Sequence, residues 1–175
     1  MISTKTIVIG ALFAVIAALL QLTPLLFSEI FIFFTIFSAV PIYIVTRINP
    51  KAGVLSYFVA AMIISLLSTH EGLFFIFTNG IIGISLGICS YYTNKKLITW
   101  FLSSVILTIT LCIMNFGIGI PVLGSKLPGI IIIQIAILFL VSALYNIFYL
   151  YFSNFIFNLL KKFKVFWIPI RGGFL

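Results

Sequence analysis

The chain has 175 residues, of which 63% are hydrophobic and only 7% are charged, and its mean hydropathy is +1.38. These values lie far outside the range of soluble globular domains and exclude a water-soluble fold. The net charge of +8 arises from ten Lys and Arg residues against two acids. In a membrane protein such a surplus reflects topology, so it does not predict binding to nucleic acid.

Six apolar runs, separated by charged or turn-forming residues, predict six transmembrane helices. A transmembrane helix takes about 20 residues, so six of them fill most of the chain and leave short connections. The sequence therefore predicts an all-α integral membrane protein, built as a six-helix bundle in a single transmembrane domain, residues 1–175. The predicted spans are 6–22, 30–46, 52–68, 73–92, 97–115 and 130–160.

Two stretches depart from simple spans. The longest connection, residues 116–129, contains Gly117, Gly119 and Pro121 and is typical of an irregular loop. The sixth apolar stretch would be about 45 Å long as one helix, whereas the hydrocarbon core is about 30 Å thick. We expect this helix to tilt, to bend or to run along the interface.

The basic residues indicate which way the bundle faces. Six spans place both termini on one side, and nine of the ten Lys and Arg residues fall on that side, with Lys126 alone opposite. Cytoplasmic loops are enriched in Lys and Arg, so we expect both termini to be cytoplasmic. The chain is then a multi-pass protein of the bacterial cell membrane. The nine residues are Lys5, Arg47, Lys51, Lys95, Lys96, Lys161, Lys162, Lys164 and Arg171.

Polar side chains that could contact a ligand gather in the half of the bundle opposite the termini. Asn79 lies within the fourth predicted span and Asn115 ends the fifth, where an amide costs free energy unless it pairs or faces water. A cavity open to the outside would satisfy these two amides, and so would hydrogen bonds between helices. Gln21 ends the first span in the same half. The predicted substrate-binding residues are Glu29, His70, Glu71, Asn79, Asn115, Lys126 and Gln134.

No motif predicts catalysis or a metal site. His70-Glu71 lacks the second His of an HExxH zinc motif, because the chain has a single His. Gly83-Ile84-Ser85-Leu86-Gly87 matches the G-x-S-x-G pattern, but Ser85 would lie about 22 Å from His70 along one helix. These glycines instead predict close helix packing. We expect no enzyme activity, no catalytic residue, no metal and no cofactor.

Small residues form a stripe on the first predicted helix. Gly10, Ala14 and Ala18 recur every four residues and therefore share one helical face. Such a face allows another helix to approach closely. The stripe predicts either a docking face for another membrane protein or internal packing within the bundle.

With these features the chain resembles the substrate-binding S components of energy-coupling factor (ECF) transporters, which are similar in size and have six spans with cytoplasmic termini. The resemblance implies that the small-residue face docks on a transmembrane coupling subunit joined to cytoplasmic ATPases. It also implies that the outer ends of spans four to six enclose a small organic solute, a vitamin or a precursor. The residues on which the resemblance rests are Gly10, Ala14, Ala18, Pro41, Arg47, Lys51, Gly53 and the segment 79–87.

Two other classes of membrane protein also fit this pattern of spans. One is a scaffold similar to the rod-shape-determining membrane proteins of cell-wall synthesis, which carry an Asp after a Gly-rich third span; this chain has no Asp. The other is a membrane protein with the S-component fold that does not transport. The His-rich N terminus of nickel and cobalt binders is missing, which favours an organic solute over a metal ion.

Overall fold

The computed structural model describes residues 3–93, 95–123 and 129–162 of the chain. These residues form helices and no strand, and six helices are long and apolar enough to cross a membrane. Each matches one predicted span to within four residues at either end, so the all-α, six-helix prediction is confirmed. They are Thr4–Gln21 (span 1), Glu29–Ile48 (span 2), Pro50–Leu67 (span 3), Thr69–Tyr92 (span 4), Lys96–Ile118 (span 5) and Ile131–Lys162 (span 6).

Side-chain caps explain why several connections are so short. Asn49 alone joins spans 2 and 3, and its Oδ1 accepts hydrogen bonds from the backbone amides of Lys51 and Ala52 while Pro50 begins the next helix. Ser68 alone joins spans 3 and 4, and its Oγ accepts from the Glu71 amide. These caps satisfy orphan amides at the start of each helix and fix two tight hairpins.

The two ends of the bundle differ in charge. The basic end carries the start of spans 1, 3 and 5 and the end of spans 2, 4 and 6, and the acidic end carries the opposite termini. The acidic end holds Glu29, His70 and Glu71. The basic end holds Lys5, Arg47, Lys51, Lys95, Lys96, Lys161 and Lys162.

Two buried clusters form the core, and large apolar side chains elsewhere remain exposed, as a lipid-facing surface requires. The first cluster joins spans 2, 4, 5 and 6 and includes Tyr43, Leu86, Leu107 and Tyr149. The second joins spans 1 to 4. Its members include Ala14, Ile42, Ala60 and Phe75.

Glycines of span 4 let span 2 approach closely, as the sequence predicts. A Cβ added at Gly83 would lie 2.6 Å from the carbonyl oxygen of Ala39, and one added at Gly87 would lie 2.5 Å from Cβ of Thr46. Neither contact is sterically allowed, so any larger residue would force the two helices apart. Ser85, on the other side of the same helix, is also buried, and its Oγ donates to the carbonyl oxygen of Ile82.

The small-residue face of span 1 lies inside the bundle. Ala14 is fully buried and Ala18 is 2% exposed, and a Cβ at Gly10 would lie 2.7 Å from Ser56 Oγ of span 3. A partner helix cannot contact side chains that the bundle itself already covers. The structure therefore has the internal packing that was the alternative to a docking face.

Three helices are irregular in the half of the bundle nearer the acidic end. Span 2 begins as a 3-10 helix over Glu29–Ser38 and continues as an α-helix over Ala39–Ile48. Span 4 is α-helical over Thr69–Phe74 and Gly80–Tyr92, with a π-helical turn at Phe75–Asn79 between them. Span 5 is α-helical over Lys96–Cys112 and ends in a π-helical turn at Ile113–Ile118. Such segments often mark functional sites, because they redirect side chains and carbonyl groups.

The remaining elements close the bundle. A short helix, Thr23–Leu26, links spans 1 and 2. Gly119, with φ of 80°, adopts the left-handed conformation that ends span 5. Span 6 is one continuous helix of 32 residues, about 48 Å long and so longer than the hydrocarbon core.

The buried face of span 1 gives a direct test. We expect Ala14→Leu to lower the free energy of unfolding by about 2 kcal/mol, because a larger side chain overpacks a fully buried site. Ala11→Leu, on the exposed side of the same helix, is the matched control and should change it by less than about 0.5 kcal/mol. Thermal unfolding in detergent measures both. Equal stability of the two variants would contradict the internal packing.

Candidate functional site

One buried amide connects three helices near the acidic end. Gln21, in the last turn of span 1, is 1% exposed. Its Nε2 donates to Glu71 Oε2 at 2.8 Å, and its Oε1 accepts from Ser38 Oγ at 2.8 Å and from Asn79 Nδ2 at 2.9 Å. A single side chain thereby joins span 1 to span 2 and to two turns of span 4.

Asn79 extends this network to span 6. Its Nδ2 also donates to the backbone carbonyl oxygen of Thr35 at 3.0 Å, and its Oδ1 lies 3.4 Å from the hydroxyl of Tyr149. The Tyr149 hydroxyl also donates to the backbone carbonyl oxygen of Ile36. Thr35 and Ile36 belong to the 3-10 segment of span 2, so the irregular winding supplies acceptors to two neighbouring helices. We call Gln21, Ser38, Glu71, Asn79 and Tyr149 the amide network.

A cavity of about 300 Å³ lies beside the amide network. This volume is at the lower limit for small-molecule sites, which span about 300–1,000 Å³. Spans 1, 2, 4, 5 and 6 and the connection after span 5 all contribute to its wall. The polar lining residues are Gln21, Thr35, His70, Glu71, Thr78, Asn79, Ser142 and Tyr145, and the apolar ones are Ile32, Phe74, Leu107, Leu111, Val122 and Val141.

Glu71 gives the cavity its charge. One carboxylate oxygen accepts from Gln21, and the other lies 4.0 Å from Nδ1 of His70, beyond hydrogen-bond distance. The Glu71 side chain is 18% exposed and the His70 side chain is 70% exposed. Among the described residues, no Lys or Arg lines the cavity. The cavity therefore offers a carboxylate acceptor to a hydrogen-bond donor or a cation.

Span 6 contributes a polar stripe that faces the cavity and the core. Ser142, Tyr145 and Tyr149 recur at helical spacing, and the first two line the cavity. Ser142 is fully buried, and its Oγ has no hydrogen-bond partner among the described residues. Buried hydroxyl groups are rarely left without a partner, because desolvation costs about 1–3 kcal/mol. Ser142 is therefore a buried, unsatisfied hydroxyl group in the wall of the cavity, and neighbouring atoms cover its oxygen.

The structure brings together some of the predicted site residues and separates others. His70, Glu71 and Asn79 line the cavity. Glu29 is exposed at the start of span 2, and Asn115 is half-buried in the π-helical turn of span 5; neither is part of the lining. Gln134 also lies outside the lining, and its Nε2 donates to the Gly129 carbonyl oxygen at 2.9 Å. Lys126 lies outside the described residues.

Five polar residues of the wall were not among the predicted site residues: Gln21, Thr35, Thr78, Ser142 and Tyr145. Gln21 has a visible signal, because it is one of the polar side chains in the half of the bundle opposite the termini, although the predicted site residues do not include it. The spacing of Ser142, Tyr145 and Tyr149 also predicts a shared face. Thr35 had no signal, because it contributes a backbone carbonyl group that only the 3-10 winding exposes.

Comparison with protein family models, curated proteins and solved structures finds no match for this chain. Among the described residues, no group of three or more His, Cys, Asp or Glu side chains could hold a metal ion. The cavity combines the carboxylate of Glu71, the buried hydroxyl of Ser142 and the rings of Phe74 and Tyr145.

The amide network should contribute measurably to stability. Asn79→Leu removes the two interhelical hydrogen bonds that Asn79 donates, each worth about 0.6 kcal/mol in membrane proteins, so we expect a loss of about 1 kcal/mol. Asn115→Leu is the matched control, because Asn115 lies outside the network, and we expect little change. Thermal unfolding in detergent measures both variants. Similar unfolding temperatures for the two would contradict the structural role of the network.

Proposed function

We propose that this protein binds a small organic solute in the cavity near its acidic end. We further propose that it is the substrate-binding subunit of an ECF-type importer, in which partner ATPases supply energy for uptake. The observation that carries the proposal is the cavity: it is of ligand size, is built from five spans and holds the carboxylate of Glu71 in a wall of polar and apolar side chains. Ionisable residues within membrane spans often mark ligand or ion sites.

The lining favours a particular chemistry of solute. The aromatic rings of Phe74 and Tyr145 offer faces or edges to a flat heterocycle. Glu71 Oε1, the oxygen that does not accept from Gln21, would accept a hydrogen bond from an amine or a ring N–H group. A vitamin or vitamin precursor with an aromatic body and a donor or cationic group has this chemistry.

The distribution of charge supports capture from outside the cell. Lys and Arg residues are enriched in cytoplasmic loops, so the basic end would face the cytoplasm together with both termini. The cavity near the acidic end would then be reached from the external side of the cell membrane. This orientation is the one that uptake requires of a substrate-binding subunit.

The coupling subunit would contact a different surface from the one the resemblance implies. Gly10, Ala14 and Ala18 are covered within the bundle. The exposed side of span 1 carries Ala11, Val15 and Leu19, and a coupling subunit that docks on this helix would contact these residues. Lipid covers the same side when the partner is absent.

The two acids of the chain provide a matched pair of variants. We expect Glu71→Gln to weaken solute binding by at least about tenfold, because a hydrogen bond to a charged group contributes about 1.5–3 kcal/mol. Glu29→Gln makes the same change of charge outside the cavity and should bind normally. Native mass spectrometry of protein purified from its own host measures how much small molecule each variant retains.

Val141→Trp is a second variant, since it fills the cavity without touching the amide network. It should also lose the retained molecule. Equal retention by the wild type, Glu71→Gln and Val141→Trp would contradict solute binding in this cavity. A wild-type protein that carries no small molecule and copurifies with cell-wall enzymes would instead favour the scaffold.

A further inference from the structure

A second, smaller cavity lies at the basic end, far from the proposed solute site. Its volume is about 80 Å³, and spans 2, 4, 5 and 6, with Thr93 after span 4, form its wall. Polar and basic side chains dominate this wall, in contrast to the larger cavity. The lining residues are Arg47, Ser90, Thr93, Lys96, Thr99, Leu150 and Asn154. We call it the basic cavity.

Arg47 is held in a fixed position in this wall. Its Nη1 donates to the hydroxyl of Tyr43 at 2.6 Å and to Oδ1 of Asn154. Its Cζ lies 4.2 Å from the centre of the Phe157 ring, a cation–π distance. Within the described residues, Nε and Nη2 make no hydrogen bond to the protein. The guanidinium group is thus oriented by neutral partners and keeps donors free.

No acidic side chain of this chain neutralises the basic cavity. The only acids in the sequence are Glu29 and Glu71, and both lie at the acidic end. Arg47 is half-buried, whereas Lys96 is exposed in the same wall, with its Nζ 5.6 Å from the centre of the Tyr151 ring. A partly buried guanidinium group without a counterion is unfavourable, and a bound anion would stabilise it.

The start of span 5 adds further donors. Thr99 is 2% exposed and lines the basic cavity, yet its hydroxyl makes no hydrogen bond within the described part of the chain. The first turn of span 5 begins at Lys96 and has no side-chain cap. Helix N-termini favour negative charge, because their free amides and dipoles point outward.

We propose that the basic cavity binds a phosphate-type anion, carried by an anionic lipid headgroup or by a soluble phosphate compound. A guanidinium group, an ammonium group and hydroxyls together match the several acceptor oxygens of a tetrahedral phosphate. The volume admits one such group. The basic end lies at the level of the lipid headgroups, where Lys and Arg contact anionic lipids.

The test uses delipidated wild-type protein and single variants in neutral detergent. The probes are phosphatidylglycerol, zwitterionic phosphatidylcholine and inorganic phosphate. Native mass spectrometry counts bound lipid, and a thermal shift reports phosphate. Lys96→Gln and Thr99→Val remove ligand contacts while leaving the partners of Arg47 intact. Lys51→Gln is the control, because it removes the same charge from an exposed site at the same end.

The two anionic phosphate probes are phosphatidylglycerol and inorganic phosphate. We expect one of them to bind the wild type at least about tenfold more tightly than it binds Lys96→Gln or Thr99→Val. The Lys51→Gln control should bind that probe as tightly as the wild type does. Binding of phosphatidylglycerol but not phosphatidylcholine or inorganic phosphate identifies the lipid as the source. Stabilisation by inorganic phosphate without lipid identifies a soluble compound. No binding of either phosphate probe, or equal weakening by Lys51→Gln, would overturn the proposal.

Discussion

The buried amide of Gln21 is the interaction on which the acidic half of the bundle depends. Lipid offers no hydrogen bonds, so each polar group inside the membrane must find a partner in the protein. Gln21 forms hydrogen bonds with Glu71, Ser38 and Asn79. Asn79 in turn contacts span 2 and Tyr149 of span 6. These bonds fix spans 1, 2, 4 and 6 relative to one another. The cavity is the space that remains between them and span 5.

The irregular helices follow from the same constraint. The 3-10 winding of span 2 presents the carbonyl oxygens of Thr35 and Ile36 to side chains of other helices. The π-helical turn of span 4 ends at Asn79, the residue that uses both amide donors within the network. At the opposite end the helices are regular and the charges are basic. The bundle thus separates a carboxylate-bearing cavity from an arginine-bearing one, and each would attract a different class of ligand.

The sequence was sufficient for the six spans, because hydropathy and turn residues alone mark where a helix can cross a membrane. It also indicated Glu71, His70 and Asn79, which are polar residues in or beside apolar runs. It could not reveal the role of Thr35, since residues 30–37 form one apolar stretch with a single hydroxyl and the contribution is a backbone carbonyl group. Nor could the sequence show whether Gly10, Ala14 and Ala18 pack within the bundle or contact a partner, because the same small-residue stripe suits both. Arg47 and Lys96 are distant in sequence, so only the fold joins them.

A solute that enters the larger cavity from outside the cell requires a water-accessible path from the acidic end. Thiol labelling of Thr78→Cys, in a chain whose Cys89 and Cys112 are replaced by Ala, tests it most directly, because Thr78 lies in the cavity wall. A membrane-impermeant maleimide would be added to either side of oriented vesicles, with Lys51→Cys as a marker of the basic end. We expect Cys at position 78 to react only from the side opposite the marker. Labelling from the same side as the marker, or no labelling from either side, would contradict it.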